Sequence, residues 1–289
     1  MQRDRKANLN PIILLILPIL VQTLSCTNLK SVNQYSTNSL SATKKFEEIP
    51  YTFSQHCRDR CRIAAIDSFK IYREIECQCD SYKRADSVTQ MLYRAVAGYF
   101  DGLTRLSNNQ LTNYHIDRLK NAVQETDLGV LYVKKDEADA YATLTDMMLR
   151  WFADSYRQKK IKEYIGEANA PVQVLLSKLE FIESKNLGDL LEFKKDRLFD
   201  HYRALLKATL SDYEKQEATA EYYESVQGIT TLEKEIATYA KSLKAIARGH
   251  QQLYENRNQI SAEELRRSLT PYANDIYDLI SEFDKLKGK

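Results

Sequence analysis

The sequence predicts an all-α protein, an elongated helical bundle with a C-terminal antiparallel heptad hairpin. Three observations carry that expectation. Only 8 Gly and 5 Pro occur in 289 residues, too few for the many turns of an all-β protein. Beyond Tyr82, apolar residues recur at the i, i+3, i+4, i+7 spacing of amphipathic helices. The last quarter carries two heptad runs. The first is Leu232, Ile236, Tyr239, Leu243, Ile246, His250 and Leu253; the second is Leu265, Leu269, Tyr272, Ile276, Leu279, Phe283 and Leu286. A 3.5-residue repeat keeps one apolar seam on one side of a helix. The short Glu255–Ile260 connection then folds the two runs back on each other.

The elements follow in order. Asp86–Leu106 carries Met91, Leu92, Ala95, Val96, Tyr99 and Leu103 on one stripe and is interrupted at Asn108–Asn109. A helix over Leu111–Thr126 ends at Gly129, the residue type that closes helices in the left-handed conformation. A long segment, Asp136–Glu167, follows; Asn169-Ala170-Pro171 is expected to close it and to open the next helix, with Pro in the first turn. Val172–Ser184 ends at a break or kink in Asn186-Leu187-Gly188, and Leu190–Tyr223 is expected as one long helix. Gln227-Gly228 reads as a stop. Thr230 and Glu233 then form a capping box for the first heptad helix, and Ser261 and Glu264 form one for the second. Pro271 lies inside the second seam, where it removes a hydrogen bond. The heptad runs straight through it, which predicts a kinked but continuous helix.

Charge narrows the partners. The formal net charge is +2, from 42 basic and 40 acidic residues. Arg3, Arg5, Lys6 and Asp4 in the first 25 residues carry that excess, so the remainder holds 39 of each sign. A neutral body gives no reason to expect nucleic acid as a partner.

The N-terminal residues read as an export signal. Arg3, Arg5 and Lys6 form a basic n-region, and Pro11–Leu24 is an apolar run ending at small Ser25. The run is short of the roughly 20 apolar residues that a membrane span needs. Thr23-Leu24-Ser25-Cys26 resembles the lipobox of bacterial lipoproteins, with Thr23 where that family usually has Leu. The resemblance implies lipidation of Cys26 with palmitate-type acyl chains and anchoring in the bacterial cell envelope, facing the periplasm or the cell exterior. It covers only the leader and supplies no activity. The domain plan is then a signal peptide over 1–25, a lipid-anchored flexible tether over 26–50, a disulfide-braced segment over 51–82 and the helical bundle over 83–289. The tether expectation rests on the Ser, Thr and Asn content of Thr27–Ser41.

Cys57, Cys61, Cys77 and Cys79 form a C-x3-C…C-x-C pattern. Export places them where disulfides persist, and four cysteines allow three pairings. A helical turn from Cys57 to Cys61 rises about 6 Å, close to the rise of about 6.6 Å across an extended Cys77–Cys79. Pairing Cys57 with Cys79 and Cys61 with Cys77 is therefore preferred. A single helix over 57–75 is the rival, since it would hold Cys61 and Cys77 too far apart to bond. Zinc or copper held by the same thiolates, with His56 as a further ligand, is the chemical alternative.

Catalytic motifs are absent from the sequence. His56, His115, His201 and His250 form no H-E-x-x-H, and there is no G-x-S-x-G, Walker loop or G-x-G-x-x-G. His250 in the first seam reads as a buried polar residue that fixes register. Arg157–Lys162 reads as cations complementing a helix C-terminus, with lipid headgroups as the other reading. Most of the 19 tyrosines are expected where helices meet with one end wet.

The functional expectation is a non-enzymatic, lipid-anchored envelope protein. It would bind or scaffold an envelope protein or glycan through its bundle, with no cofactor. A metal-handling or enzymatic periplasmic protein using the cysteine cluster is the alternative. A helical toxin or immunity lipoprotein is a further one; no long apolar stretch follows residue 26 to support a pore former.

Overall fold

The computed structural model describes residues 26–71, 76–108, 130–153, 160–258 and 262–288. The export signal, the helix expected over Leu111–Thr126, the Ser261 cap and Arg157–Lys159 of the Arg157–Lys162 cluster lie outside these residues. The fold is all-α.

Eight α-helices form the described part: α1 (Cys26–Lys44), α2 (Phe53–Asp67), α3 (Asp80–Ser107), α4 (Lys135–Ala153), α5 (Ile161–Phe181), α6 (Gly188–Leu205), α7 (Asp212–Glu255) and α8 (Ala262–Leu286). A 3-10 turn, Lys45–Glu48, follows α1, and a π-helical segment, Ile182–Leu187, joins α5 to α6 without a loop.

The stretch expected as a flexible tether is helix α1, packed in the core. Val32, Tyr35, Ser36, Ser39, Ala42 and Thr43 are buried on one face, at the helical period. That period is written in small hydroxyl residues rather than in Leu or Ile. Each can turn its hydroxyl back on the helix, as Ser36 does to the Asn33 carbonyl at 3.0 Å and Thr43 to Ser39 at 2.7 Å. Small side chains let neighbouring helices approach closely around the one large anchor, Tyr35. Its hydroxyl donates to the Ile246 carbonyl at 2.6 Å, and Gly249 gives its ring room: a Cβ there would lie 2.4 Å from Tyr35 Cε2. The bundle therefore includes α1 and is not confined to residues 83–289.

Side-chain pairs fix the helix directions. Asn33 reaches Thr104 and Ser107 late in α3, while Phe46 stacks on Tyr93 earlier in it, so α1 and α3 are antiparallel. Tyr35 meets Ile246 and Thr43 meets Tyr239, so α1 also opposes α7. Lys287 pairs with Glu235, Thr238 with Glu282 and Arg248 with Asp275, which makes α7 and α8 antiparallel. Of the two heptad runs, Ile236, Tyr239, Leu243, Ile246, His250, Leu253, Leu265, Leu269, Ile276 and Phe283 are buried. They face α1 as well as each other, so the seam serves three helices. α8 is continuous through Pro271.

Three expected breaks are not breaks. Pro171 lies inside α5, because Ile161, Tyr164, Ile165, Ala168, Val172, Leu175, Leu176 and Leu179 form one buried stripe across it. That packing outweighs the roughly 3 kcal/mol an interior Pro costs. Asn186-Leu187-Gly188 is carried by the π segment. Gly228 and Thr230 lie mid-way along α7, where Thr231 bonds back to the Gln227 carbonyl at 3.1 Å. A Gly in a helix interior costs only about 1 kcal/mol relative to Ala. The real break falls inside the expected Leu190–Tyr223 helix, after Leu205. Ser211 starts α7 there with a capping box, its hydroxyl accepting from the Glu214 N–H and Glu214 accepting from the Ser211 N–H.

The result is one long helical hairpin. α5, the π segment and α6 run continuously from 161 to 205, antiparallel to the 44 residues of α7. Its first half is bundle core. Its second half, α6 with the first part of α7, is an arm: Leu191 and Tyr202 are the buried residues of α6, and Ala218 is the buried one of α7 before Ile229.

Candidate functional site

Helix α2, held to the start of α3 by two disulfides, lies along the arm. Thr52 caps α2, its hydroxyl accepting from the Gln55 N–H. Asp86 of α3 takes the Phe53 and Ser54 N–H groups on its two oxygens at 2.9 and 3.0 Å, a carboxylate at the positive end of a helix. Cys57 bonds Cys79 and Cys61 bonds Cys77, with Cα separations of 5.8 and 5.9 Å. α2 ends at Asp67 and the chain turns back, so no helix runs from 57 to 75. All four sulfurs are consumed, which leaves no thiolate to ligate a metal.

The turn itself is unusual. α2 ends in a Schellman motif: the Lys70 N–H donates to the Ala65 carbonyl at 2.9 Å and the Phe69 N–H to Ile66 at 3.1 Å. The residue in the left-handed position is Phe69, with φ 54°, where Gly is the usual occupant. Its ring is 99% exposed. A non-Gly residue there costs about 1–2 kcal/mol, and no burial of the ring offsets it.

α2 is tied to the arm by charge. Lys194 of α6 meets Asp59 Oδ2 at 2.5 Å while Gln55 donates to Oδ1 at 2.9 Å. Asp67 takes Arg197 at 3.3 Å and His201 Nδ1 at 2.9 Å. Between α2, α6 and α7 lies a cleft of about 400 Å³. Ile63, Leu198 and Ile229 give it apolar walls, and Arg62, His201, Tyr202, Glu221 and Ser225 open onto it. The Tyr202 hydroxyl donates to Glu221; burial, then that carboxylate, pushes Tyr202 up to about 12. Asp67, His201 and Ser225 are the residue types of an acyl-transfer triad; of their two links, the structure forms the one between His201 and Asp67.

Nine of the fourteen large apolar side chains that are exposed among the described residues lie on α2, its turn and the arm. Phe193, Phe199, Tyr213 and Tyr223 are the aromatic ones on the arm. Among the described residues, the exposed apolar surface is therefore concentrated on α2, its turn and the arm.

Two buried polar sites lie deeper. His250 has no exposed surface. Tyr99 OH is 2.6 Å from its Nε2 and Asn169 Oδ1 is 2.9 Å from its Nδ1. Asn169 can accept there only from an Nδ1–H, so Nε2 accepts from the tyrosine. Asn169 passes the chain on to Gln251 and Gln251 to Glu255 at the surface. Burial lowers the His250 pKa to about 3, consistent with a neutral ring. Glu183, in the π segment, is likewise fully buried. It accepts from Tyr93 OH at 3.2 Å on one oxygen, and its other oxygen has no partner. Burial pushes its pKa up to about 8.

The remaining sequence-predicted residues are scattered. Cys26 is the first residue of α1. His56 is buried against Tyr51, whose hydroxyl is 3.0 Å from Nδ1; burial, and then the Arg60 charge, lower its pKa. His115 lies outside the described residues. No helix among the described residues is long and apolar enough to cross a membrane. Compared with known proteins, the chain matches no family model, no curated protein and no solved structure.

Sequence reasoning missed the arm, the cleft and Glu183. Gly228, read as a helix stop, lines the cleft. The signal for the arm is the thin apolar stripe of α6 and the first turns of α7, where aromatics outnumber the positions one core can take.

Proposed function

We propose that this chain is a lipid-anchored protein of the bacterial cell envelope that binds another envelope protein through its disulfide-braced turn and helical arm, without catalysing a reaction. The observation that carries the binding reading is Phe69. A bulky aromatic held in a costly left-handed conformation, with its ring in water, on a turn clamped by two disulfides, is placed for a contact outside the chain. The arm aromatics beside it extend the same apolar surface, and aromatic residues dominate the binding energy of protein interfaces.

The anchor rests on the resemblance of Thr23–Cys26 to a lipobox. Helix α1 makes its consequence geometric. Only residues 27–31 separate Cys26 from buried Val32, so a lipid on Cys26 would seat that end of the bundle directly on the bilayer. Tyr35 stands level with Ile246, and the arm tip at Asp212 lies about 50 Å farther along α7 at 1.5 Å per residue. The binding surface would point away from the anchoring membrane.

Capture from envelope extract with immobilised wild-type protein and with Phe69→Gly tests the reading. The wild type should retain a reproducible protein that Phe69→Gly loses while its fold is kept. Equal capture by both, or capture that depends on the bundle and not the arm, refutes it. Membrane fractionation of Cys26→Ser tests the anchor separately; a variant still bound to membranes removes that part of the proposal.

A further inference from the structure

The cleft between α2, α6 and α7 has features that packing within the chain does not explain. Gly228 is the clearest. At Gly249 a Cβ would collide with Tyr35, so that glycine is required by its neighbour, and at Gly166 a Cβ would press on the Arg257 side chain at 3.2 Å. A Cβ at Gly228 would meet nothing within 4 Å. Its position inside an α-helix sacrifices stability relative to Ala, and the room that it leaves opens into the cleft.

The charges of the cleft are also unequal in their engagements. Lys194 is held by Asp59, both of whose oxygens are occupied. His201 is turned by Asp67 on its Nδ1 side. Glu221 is engaged by Tyr202. Arg62 alone among the cleft's lysines and arginines makes no ion pair or hydrogen bond with the described residues. A guanidinium above an apolar cavity of about 400 Å³ matches a carboxylate carried on an apolar body, since the planar guanidinium engages a carboxylate through two parallel N–H···O bonds. A dianionic phosphate suits it less, because Glu221 faces the same space and Arg62 is the one uncommitted cation there.

We propose that this cleft is a binding site for an amphipathic carboxylate, with the apolar body against Ile63, Leu198 and Ile229 and the carboxylate on Arg62. Two sources share that chemistry: a free fatty acid, and a polypeptide C-terminus ending in an aliphatic residue. The site is independent of the lipid anchor and of the Phe69 turn.

Titration calorimetry of the purified protein with decanoate, decanol, acetyl-Leu-Leu and its C-terminal amide tests this. At least one carboxylate should bind saturably at one site, at least tenfold more tightly than its neutral counterpart. Which one binds tells the fatty acid from the chain end. Arg62→Gln should remove that tenfold preference and leave the neutral compound unaffected. Gly228→Leu, whose Cβ meets nothing within 4 Å and whose larger side chain would occupy the cleft, should abolish binding with the circular dichroism spectrum unchanged. No saturable binding of either carboxylate at millimolar concentration overturns the proposal. So does equal affinity for acid and neutral forms, or full binding by Gly228→Leu.

Discussion

Glu183→Gln should convert a pH-dependent part of the stability into a constant. The carboxyl is fully buried and its pKa is raised by burial to about 8 from 4.5. A folded-state pKa above the unfolded value means that the group favours folding fully below about pH 4.5 and loses that contribution as pH rises through 8. With about 1.36 kcal/mol per pKa unit, linkage gives a cost of about 1 kcal/mol at pH 5 and about 4 kcal/mol at pH 7.5. Gln has nearly the shape of the protonated acid, can keep the Tyr93 hydrogen bond and does not ionise. Its extra N–H donors, next to the oxygen that has no partner, impose a penalty of about 1–3 kcal/mol, but that penalty is the same at every pH. The prediction therefore lies in the difference: relative to wild type, Glu183→Gln should gain about 3 kcal/mol between pH 5 and pH 7.5. Urea unfolding of both proteins at the two pH values measures it. A gap that moves by less than about 1 kcal/mol would show that Glu183 ionises in place or is reached by water, and the argument from burial would fail.

Other outcomes can be stated more briefly. His250 works in the opposite sense: its folded pKa, about 3, lies below the ordinary 6.5, so its contribution is complete above pH 6.5 and lost as pH falls. Between pH 7.5 and pH 5 the wild type should lose about 2 kcal/mol that His250→Gln does not lose, read from the same unfolding curves. Gly249→Ala, with its Cβ 2.4 Å from Tyr35 Cε2, should destabilise by about 1–3 kcal/mol, while Gly228→Ala should stabilise by about 0.5–1 kcal/mol; thermal melts that rank the two the other way contradict the packing described. Phe69→Gly should raise stability by about 1 kcal/mol by relieving the left-handed strain, an unusual gain from deleting a large side chain. Replacing Cys61 and Cys77 by Ala should cost about 3 kcal/mol by loop-closure entropy; unchanged melting under reducing and oxidising conditions would contradict it.

Much of the fold was legible because its strongest signals are local. The heptad of α7 and α8 and the stripe of α3 repeat at a fixed spacing in large apolar residues, and nothing distant is needed to read them. α1 was illegible for the converse reason. Apart from Val32 and Tyr35, its buried face is Ser, Thr and Ala, residues that a coil uses equally well, and only the partner helices reveal that small side chains are wanted there. Pro171 misled because its intrinsic cost, about 3 kcal/mol, is smaller than what the continuous buried stripe of α5 returns, and Gly228 because a Gly in a helix interior costs only about 1 kcal/mol. The cleft escaped notice because Arg62, His201 and Gly228 come from three helices far apart in the chain. Glu183 looks like any surface glutamate in a helix, and its burial follows from the π segment, which no residue pattern announced.

That π segment has a consequence for how the arm is aimed. A π turn takes up an additional residue without adding a loop, so the side chains after Leu187 are rotated by roughly one residue's arc, about 100°, from where an uninterrupted α-helix would put them. The six residues Ile182–Leu187 thus act as a phase setting between two rods. Deleting one of them should leave α5 and α6 each helical and yet swing Phe193 and Phe199 around the axis, altering the azimuth of everything the arm displays.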